Sequence, residues 1–118
     1  MKTLTLAIIL MSAVTTAVFA QVIRGDSKAG HAVYEQQCLR CHGAQLDGSG
    51  PDSQDLIVRP ANLRSHITRA KTDWELLVAI SNGVLFSPMH SFRGKLTDQQ
   101  MLDVLSYIRS VSPPDISS

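Results

Sequence analysis

Cys38-Leu39-Arg40-Cys41-His42 is the stretch of this chain best suited to covalent chemistry. Two thiols three positions apart, with an imidazole directly after the second, form the C-x-x-C-H run that attaches haem. The order follows from the chemistry. The thiols add to the two vinyl groups of the porphyrin as thioethers, and the adjoining imidazole comes up beneath the iron as the proximal ligand. Both cysteines of the chain lie in this run. A redox-active C-x-x-C should follow a strand and open a helix in a chain with a sheet, whereas the flanks here read as helix and Gly-rich loop. A structural zinc site needs a further donor at an orderly spacing, which His31, His66 and His90 do not offer. The reading is one covalently attached haem c per chain.

A six-coordinate iron takes a second donor from elsewhere, and the candidates are His31, His66, His90, Met89 and Met101. Met101 falls on the apolar face of the last helix and reads as core. His31 sits beside Gly30 on a helix with its own packing stripe and reads as solvent-exposed. Met89 lies between Pro88 and His90 in a loop, with Phe92 nearby, and is not needed in a helical seam. A thioether suits low-spin iron and favours the reduced state relative to a second imidazole. Met89 is the favoured distal ligand, with His90, His66 or an open position as the alternatives. Closed on both faces, the iron exchanges electrons and little else. Left open, it admits peroxide, nitric oxide or dioxygen.

These groups must be positioned by helices, since no alternating strand pattern is present. A helix starts at Asp26 or Ser27 and runs to Gln37, with Ala29 and Val33 on one stripe and Gly30 and Tyr34 on another. Gly costs about 1 kcal/mol in a helix relative to Ala, so Gly30 implies close approach by another backbone. From Gly43 to His66 periodicity disappears, and Gly48, Gly50, Pro51 and Pro60 punctuate a long wrapping loop. Thr72 and Glu75 form a capping box for a helix that ends at Asn82-Gly83. A second box, Thr97 with Gln100, opens a helix whose apolar face is Met101, Val104, Leu105, Ile108 and Val111, with Leu96 and Met101 as a hydrophobic staple. Pro113-Pro114 stops it. The expected fold is all-α, with three main helices and long loops around one haem.

The N-terminus reads as a cleaved secretory signal peptide over residues 1–20: Lys2, an apolar stretch from Leu4 to Ala17, then Val18-Phe19-Ala20 before Gln21. Residues 21–118 are then one domain, with no second apolar span. The full chain carries 11 Lys plus Arg against 10 Asp plus Glu. Lys2 is the one charged residue ahead of Gln21, so the mature polypeptide is formally neutral, and two haem propionates make it mildly negative. No basic stripe with interleaved aromatics suggests a nucleic-acid partner. A domain this small leans on its cofactor for a core, and the haem-free chain is expected to be mostly unfolded or molten.

With these features assembled, residues 26 to 111 resemble a class I cytochrome c of the short bacterial monohaem type. The resemblance rests on the attachment run and on Ser87-Pro88-Met89-His90-Ser91-Phe92. It implies a small helical haem-wrapping fold and single-electron transfer between a redox protein donor and acceptor, not stand-alone catalysis. Gly30 and Tyr34 are similar to the family's pair on the first helix, and Tyr107 to its counterpart on the last, where the helices cross closely at the glycine. Gly50-Pro51 matches the short spacing at which a proline carbonyl accepts the proximal imidazole N–H. Pro51 is the favoured acceptor and Pro60 the competitor. Pro60-Ala61-Asn62-Leu63 helps close the pocket. Many relatives have proline directly after the methionine. Here it precedes, and His90 follows as a rival donor. Trp74 either bonds a propionate or packs at the core's edge. Arg59, Arg64, Arg69 and Lys71 neutralise a propionate, meet an acidic partner or are simply solvated.

The expected protein is thus a periplasmic one-electron carrier with a His42/Met89-ligated haem, monomeric or in transient complexes. The alternatives are a cytochrome subunit of a larger oxidoreductase, or a haem enzyme or gas-binding protein with an open sixth position.

Overall fold

The computed structural model describes residues 24–115, so the leader read over residues 1–20 lies outside the described residues. Among the described residues five helices occur in the order α1 (Ser27–Gln37), α2 (Leu39–His42), α3 (His66–Arg69), α4 (Asp73–Asn82) and α5 (Asp98–Val111), with a 3-10 turn at Ser53–Asp55. An isolated bridge between Arg93 and Leu96 is the β pairing seen among the described residues.

Local chemistry sets the long helices. Asp26 caps α1 by accepting from the Lys28 and Ala29 amides. Thr72 and Glu75 cap α4 reciprocally: the Thr72 N–H donates to Glu75 Oε2 at 2.7 Å and the Glu75 N–H to Thr72 Oγ1 at 3.2 Å. The box that opens α5 has the same geometry, with Gln100 in place of the glutamate. Each box satisfies amide donors that a helix start leaves unpaired.

Helices α1 and α5 cross at Gly30. A Cβ there would overlap the Asp103 carbonyl, so the crossing distance requires glycine. Asp103 is buried at this crossing, where it accepts the Asp26 N–H at 2.7 Å and the Gln99 side-chain amide at 2.8 Å. A buried carboxylate with two donors is satisfied. Val33 and Tyr34 of α1, Ile80 of α4, and Met101, Val104 and Ile108 of α5 share one core with Leu46, Leu63, Phe92 and Leu96. The staple residues Leu96 and Met101 both belong to it.

Two sequence expectations are corrected and a third is narrowed. Ala29 faces solvent, leaving Gly30, Val33 and Tyr34 as the buried face of α1. Val111 is exposed at the end of α5, where Ile108 and Ser112 take the buried face. Trp74 is 72% exposed and lines a shallow groove with Leu77, Met101 and Leu102, so it sits at the edge of the core and away from the haem site, and the propionate alternative falls.

Candidate haem site

Between α4 and the attachment run lies a cavity of about 480 Å³. Its wall is largely apolar, with Leu56, Val58, Leu63, Leu76, Ile80 and Phe92 contributing, and Cys38, Cys41, His42 and Met89 also line it. Cofactor sites commonly occupy roughly 300–1,000 Å³ and combine apolar walls with a few placed polar groups. The residues therefore fit a covalently held macrocycle. Cys38 and Cys41 are unpaired thiols, as thioether formation requires. Burial pushes the Cys38 thiol up to about 12, so it stays protonated at neutral pH. Among the described residues no cluster of three or more His, Cys, Asp or Glu side chains could hold a bare ion.

The proximal side is built from backbone. Helix α2 is one turn long and cannot stand alone. Its terminal carbonyls are met by the following loop: Asp52 N–H donates to Arg40 O at 2.9 Å, Gly50 N–H to Cys41 O at 3.1 Å and Gly48 N–H to His42 O at 2.9 Å. A Cβ on Gly50 would strike the Leu39 and Arg40 carbonyls. Outside, the Arg40 guanidinium grips Asp52 with two bonds, Nε to Oδ2 at 2.7 Å and Nη2 to Oδ1 at 2.6 Å. Inside, the Tyr34 hydroxyl donates to Gly43 O at 2.7 Å and ties the run to α1.

His42 Nδ1 lies 3.0 Å from the Ala61 carbonyl. That bond places the proton on Nδ1 and leaves Nε2 as the free donor. Burial outweighs the Ala61 bond and holds the imidazole below its ordinary pKa, so its neutral, ligating form is favoured. The expected partner, Pro51, is not the acceptor. The Gly48, Gly50 and Asp52 bonds fold that segment over the end of α2, which leaves Pro51 exposed and outside the cavity wall. The chain returns beneath the ring only at Pro60-Ala61, held by the Leu63 N–H to Leu46 O bond at 2.8 Å. Pro60, the competitor, was one residue short.

The distal side is a loop pinned at its ends. Ser91 Oγ donates to Ser81 O at 2.6 Å, and the amides of Phe92 and Arg93 donate to Ile80 O and Ser81 O at 3.1 Å each, satisfying carbonyls at the end of α4. Within the loop the Ser87 hydroxyl donates to Val84 O at 3.0 Å and accepts the Met89 N–H at 3.1 Å. The Val84 N–H closes back on Met89 O at 2.9 Å. Met89 is thereby turned inward, half-buried against the core, and its side chain meets that of His42.

The other sequence candidates fall elsewhere. His31 is exposed and stacks against Tyr107 at 4.7 Å between ring centroids. His66 is exposed, with Nε2 3.1 Å from Asp115 Oδ2. His90 reaches the rim, but its Nδ1 sits 3.0 Å from Ser91 O and its ring lies against Phe92. Met101 is buried in the core. Of the basic stretch, Arg59 and Lys71 line the cavity, whereas Arg69 Nε donates to Pro113 O. Sequence reasoning placed Ala61 in the segment that closes the pocket but missed it as the acceptor, and it missed Asp52. The spacing of Arg40 and Asp52 offered no signal by itself, since their pairing needs the turn between them.

Comparisons with known proteins agree with this geometry. The cytochrome c family model matches residues 27–112. Cytochrome c-550 of Virgibacillus halodenitrificans is 56% identical over 27 residues, covering 23% of this chain and 77% of that protein. A chain of the reducing HAO-like protein complex of Kuenenia stuttgartiensis is similar in structure, with a TM-score of 0.63, 28% identity and 70% of this chain covered. This chain spans only 41% of the length of that one. The attachment run, the cavity and the family match together show that the chain belongs to the cytochrome c family and carries one covalently bound haem c.

Proposed function

We propose that this chain is an exported one-electron carrier of the periplasm, with His42 and Met89 as axial ligands and redox proteins as donor and acceptor. The family assignment makes it an electron carrier and not a stand-alone enzyme. Bound haem supplies the one-electron couple. The protein's part is to hold and shield it. Cys38 and Cys41 tether the macrocycle, Ala61 O orients the His42 ring, and the Ser87 bonds aim Met89. Arg59 and Lys71, the two cations on the cavity wall, suit the two propionates. The apolar remainder of the wall excludes water and keeps reorganisation on electron transfer small.

The observation that carries this reading is the meeting of His42 and Met89 side chains within one apolar cavity. Oxidised holoprotein should show the weak far-red band of iron–methionine sulfur bonding, and reduced holoprotein should bind carbon monoxide slowly. Met89→Ala should remove the band and make carbon monoxide binding fast. A wild type that is high-spin and binds carbon monoxide rapidly overturns the carrier reading in favour of an open-site haem protein. Export is supported by the leader at residues 1–20 and by the haem type, and N-terminal sequencing of secreted holoprotein should begin near Gln21. No helix among the described residues is long and apolar enough to cross a membrane.

The likeness to a chain of a reducing HAO-like complex favours one second reading, a cytochrome module held within a larger oxidoreductase. Co-purification of a partner at physiological salt separates that from a free shuttle.

A further inference from the structure

Each axial-ligand segment is flanked by an arginine that reaches back across its loop. On the proximal side Arg40 holds the Asp52 carboxylate with two bonds. On the distal side Arg93 returns across eleven positions, where its Nη2 donates to Asn82 Oδ1 at 2.8 Å and to Ser81 Oγ at 3.3 Å. The Ser81 hydroxyl in turn donates to the same Asn82 oxygen at 2.9 Å. Arg93, Ser81 and Asn82 thus close a ring of polar contacts at the base of the distal loop. The residue after Asn82 gives that ring its consequence. Gly83 packs directly on the ligand segment, since a Cβ there would lie 2.7 Å from Met89 O and 2.8 Å from both His90 C and Ser91 N. Freeing Asn82 from Arg93 therefore frees the side of the loop on which the Met89 backbone rests.

We propose that Arg93 is a positioning residue for Met89: its guanidinium clasps Asn82 and Ser81 across the base of the distal loop and sets how readily Met89 leaves the iron. The proposal rests on Met89 as an axial ligand and adds the group that keeps it there. Loops that carry ligands open locally, at a lower free energy than global unfolding. A fastening at the base of such a loop raises the cost of opening without touching the core. Arg93 and Asn82 are both exposed, so the clasp is worth less than a buried bond to a charged group. Its acceptor is a neutral amide, whereas that of Arg40 is a carboxylate, which makes the distal clasp the weaker of the two. Met89 is accordingly the ligand that is released first.

Imidazole added to oxidised holoprotein takes the position that Met89 vacates, with loss of the far-red band. At saturating imidazole the observed rate is that of Met89 release. Arg93→Ala and Asn82→Ala should each raise it about threefold to fivefold. The double variant should be little faster than either, because both changes remove one bond. Arg93→Lys keeps the charge and a donor but not the planar fork, and should restore part of the hold. Arg109→Ala, which removes a bond to Asp73 at the other end of α4, should lower stability without speeding release. Unchanged rates in both single variants overturn the proposal. Additive effects also overturn it, since Arg93 would then act through its charge on the C-terminal end of α4. Equal speeding by Arg109→Ala overturns it as well, because release would then follow overall stability. A wild type without the far-red band, and with imidazole binding that never saturates, counts against Met89 as the ligand itself. The clasp is then read from amide exchange at Val84, whose N–H closes on Met89 O. Val84 exchange that Arg93→Ala leaves unaltered overturns the clasp.

Discussion

Leu46 and Phe86 share a backbone φ of +58°, but Leu46 is 1% exposed and Phe86 98%. Leu46 lies in the proximal loop, where the cost of the left-handed conformation is offset by full burial in the core and by a carbonyl that receives the Leu63 amide. Phe86 lies in the distal loop with no such compensation inside the molecule. The contrast extends to the whole of each region. The proximal loop is bonded to the end of α2 through Gly48, Gly50 and Asp52, whereas the distal loop is fastened to α4 through Ser91, Phe92 and Arg93 and internally by Ser87. The proximal region is braced by its own backbone around His42, and the distal one holds Met89 from a loop whose tip is exposed.

Substitutions at one close-packed glycine in each loop, Gly50 and Gly83, should separate global from local failure. Gly50→Ala drives a methyl into the Leu39 and Arg40 carbonyls, neither of which can move without opening α2. Holoprotein stability should fall by about 3 kcal/mol, the upper end of overpacking costs, as read by denaturant unfolding. In Gly83→Ala the new Cβ would lie 2.7 Å from Met89 O, at a φ of +75°. Displacement of Met89 should there be the main result, with the far-red band weakened while helicity and the unfolding midpoint change less. Equal global losses at both sites would contradict the difference between the loops.

Tyr34→Phe tests the tie between α1 and the attachment run. Loss of its hydroxyl leaves Gly43 O with the Leu46 N–H as its remaining donor, for about 1 kcal/mol. Burial pushes the Tyr34 pKa up, so the hydroxyl remains a donor throughout the working range of pH. Ser87→Ala is the distal counterpart and should cost about 1 kcal/mol or less. It should act locally, with faster amide exchange at Met89 and an earlier thermal loss of the far-red band than of the fold.

What the sequence made legible follows the range of the interactions. The attachment run and both capping boxes lie within five residues, and their chemistry is complete at that distance. The start of α4 at Asp73 and of α5 at Asp98 followed directly from them. Gly30 was legible as a close approach because no local role explains glycine in mid-helix. The acceptor for His42 was not, because it depends on how a loop without periodicity returns across nineteen positions, from His42 to Ala61. The one-turn helices α2 and α3 were also hidden, since four residues carry no period. Trp74 stayed open between two roles for a different reason. A large aromatic beside a capping box suits a cofactor contact or the core's edge, and only packing of α4 on α5 shows it in a surface groove with Met101 and Leu102.

The two capping boxes give the finest comparison, because α4 carries the distal loop and only its box can titrate. Thr72 N–H donates to a carboxylate and Thr97 N–H to an amide, at 2.7 and 2.9 Å. The Thr72 backbone and hydroxyl bonds hold the Glu75 carboxyl below its ordinary value of 4.5. A carboxyl lowered in the folded state stabilises it above the unfolded value, and that contribution is lost as pH falls through the folded one. Acid should therefore loosen the start of α4 and spare that of α5. The effect is small, since Glu75 is exposed, and Asp47 in the proximal loop is also lowered by its Ser49 bonds. Global unfolding would mix the two, so the measurement must be made at single amides. Protection of the Thr72 amide, corrected for intrinsic exchange, should fall relative to Thr97 as pH drops below the carboxylate range. Glu75→Gln gives both helices the same kind of box and should abolish that divergence; if it persists, acid reaches α4 through another group.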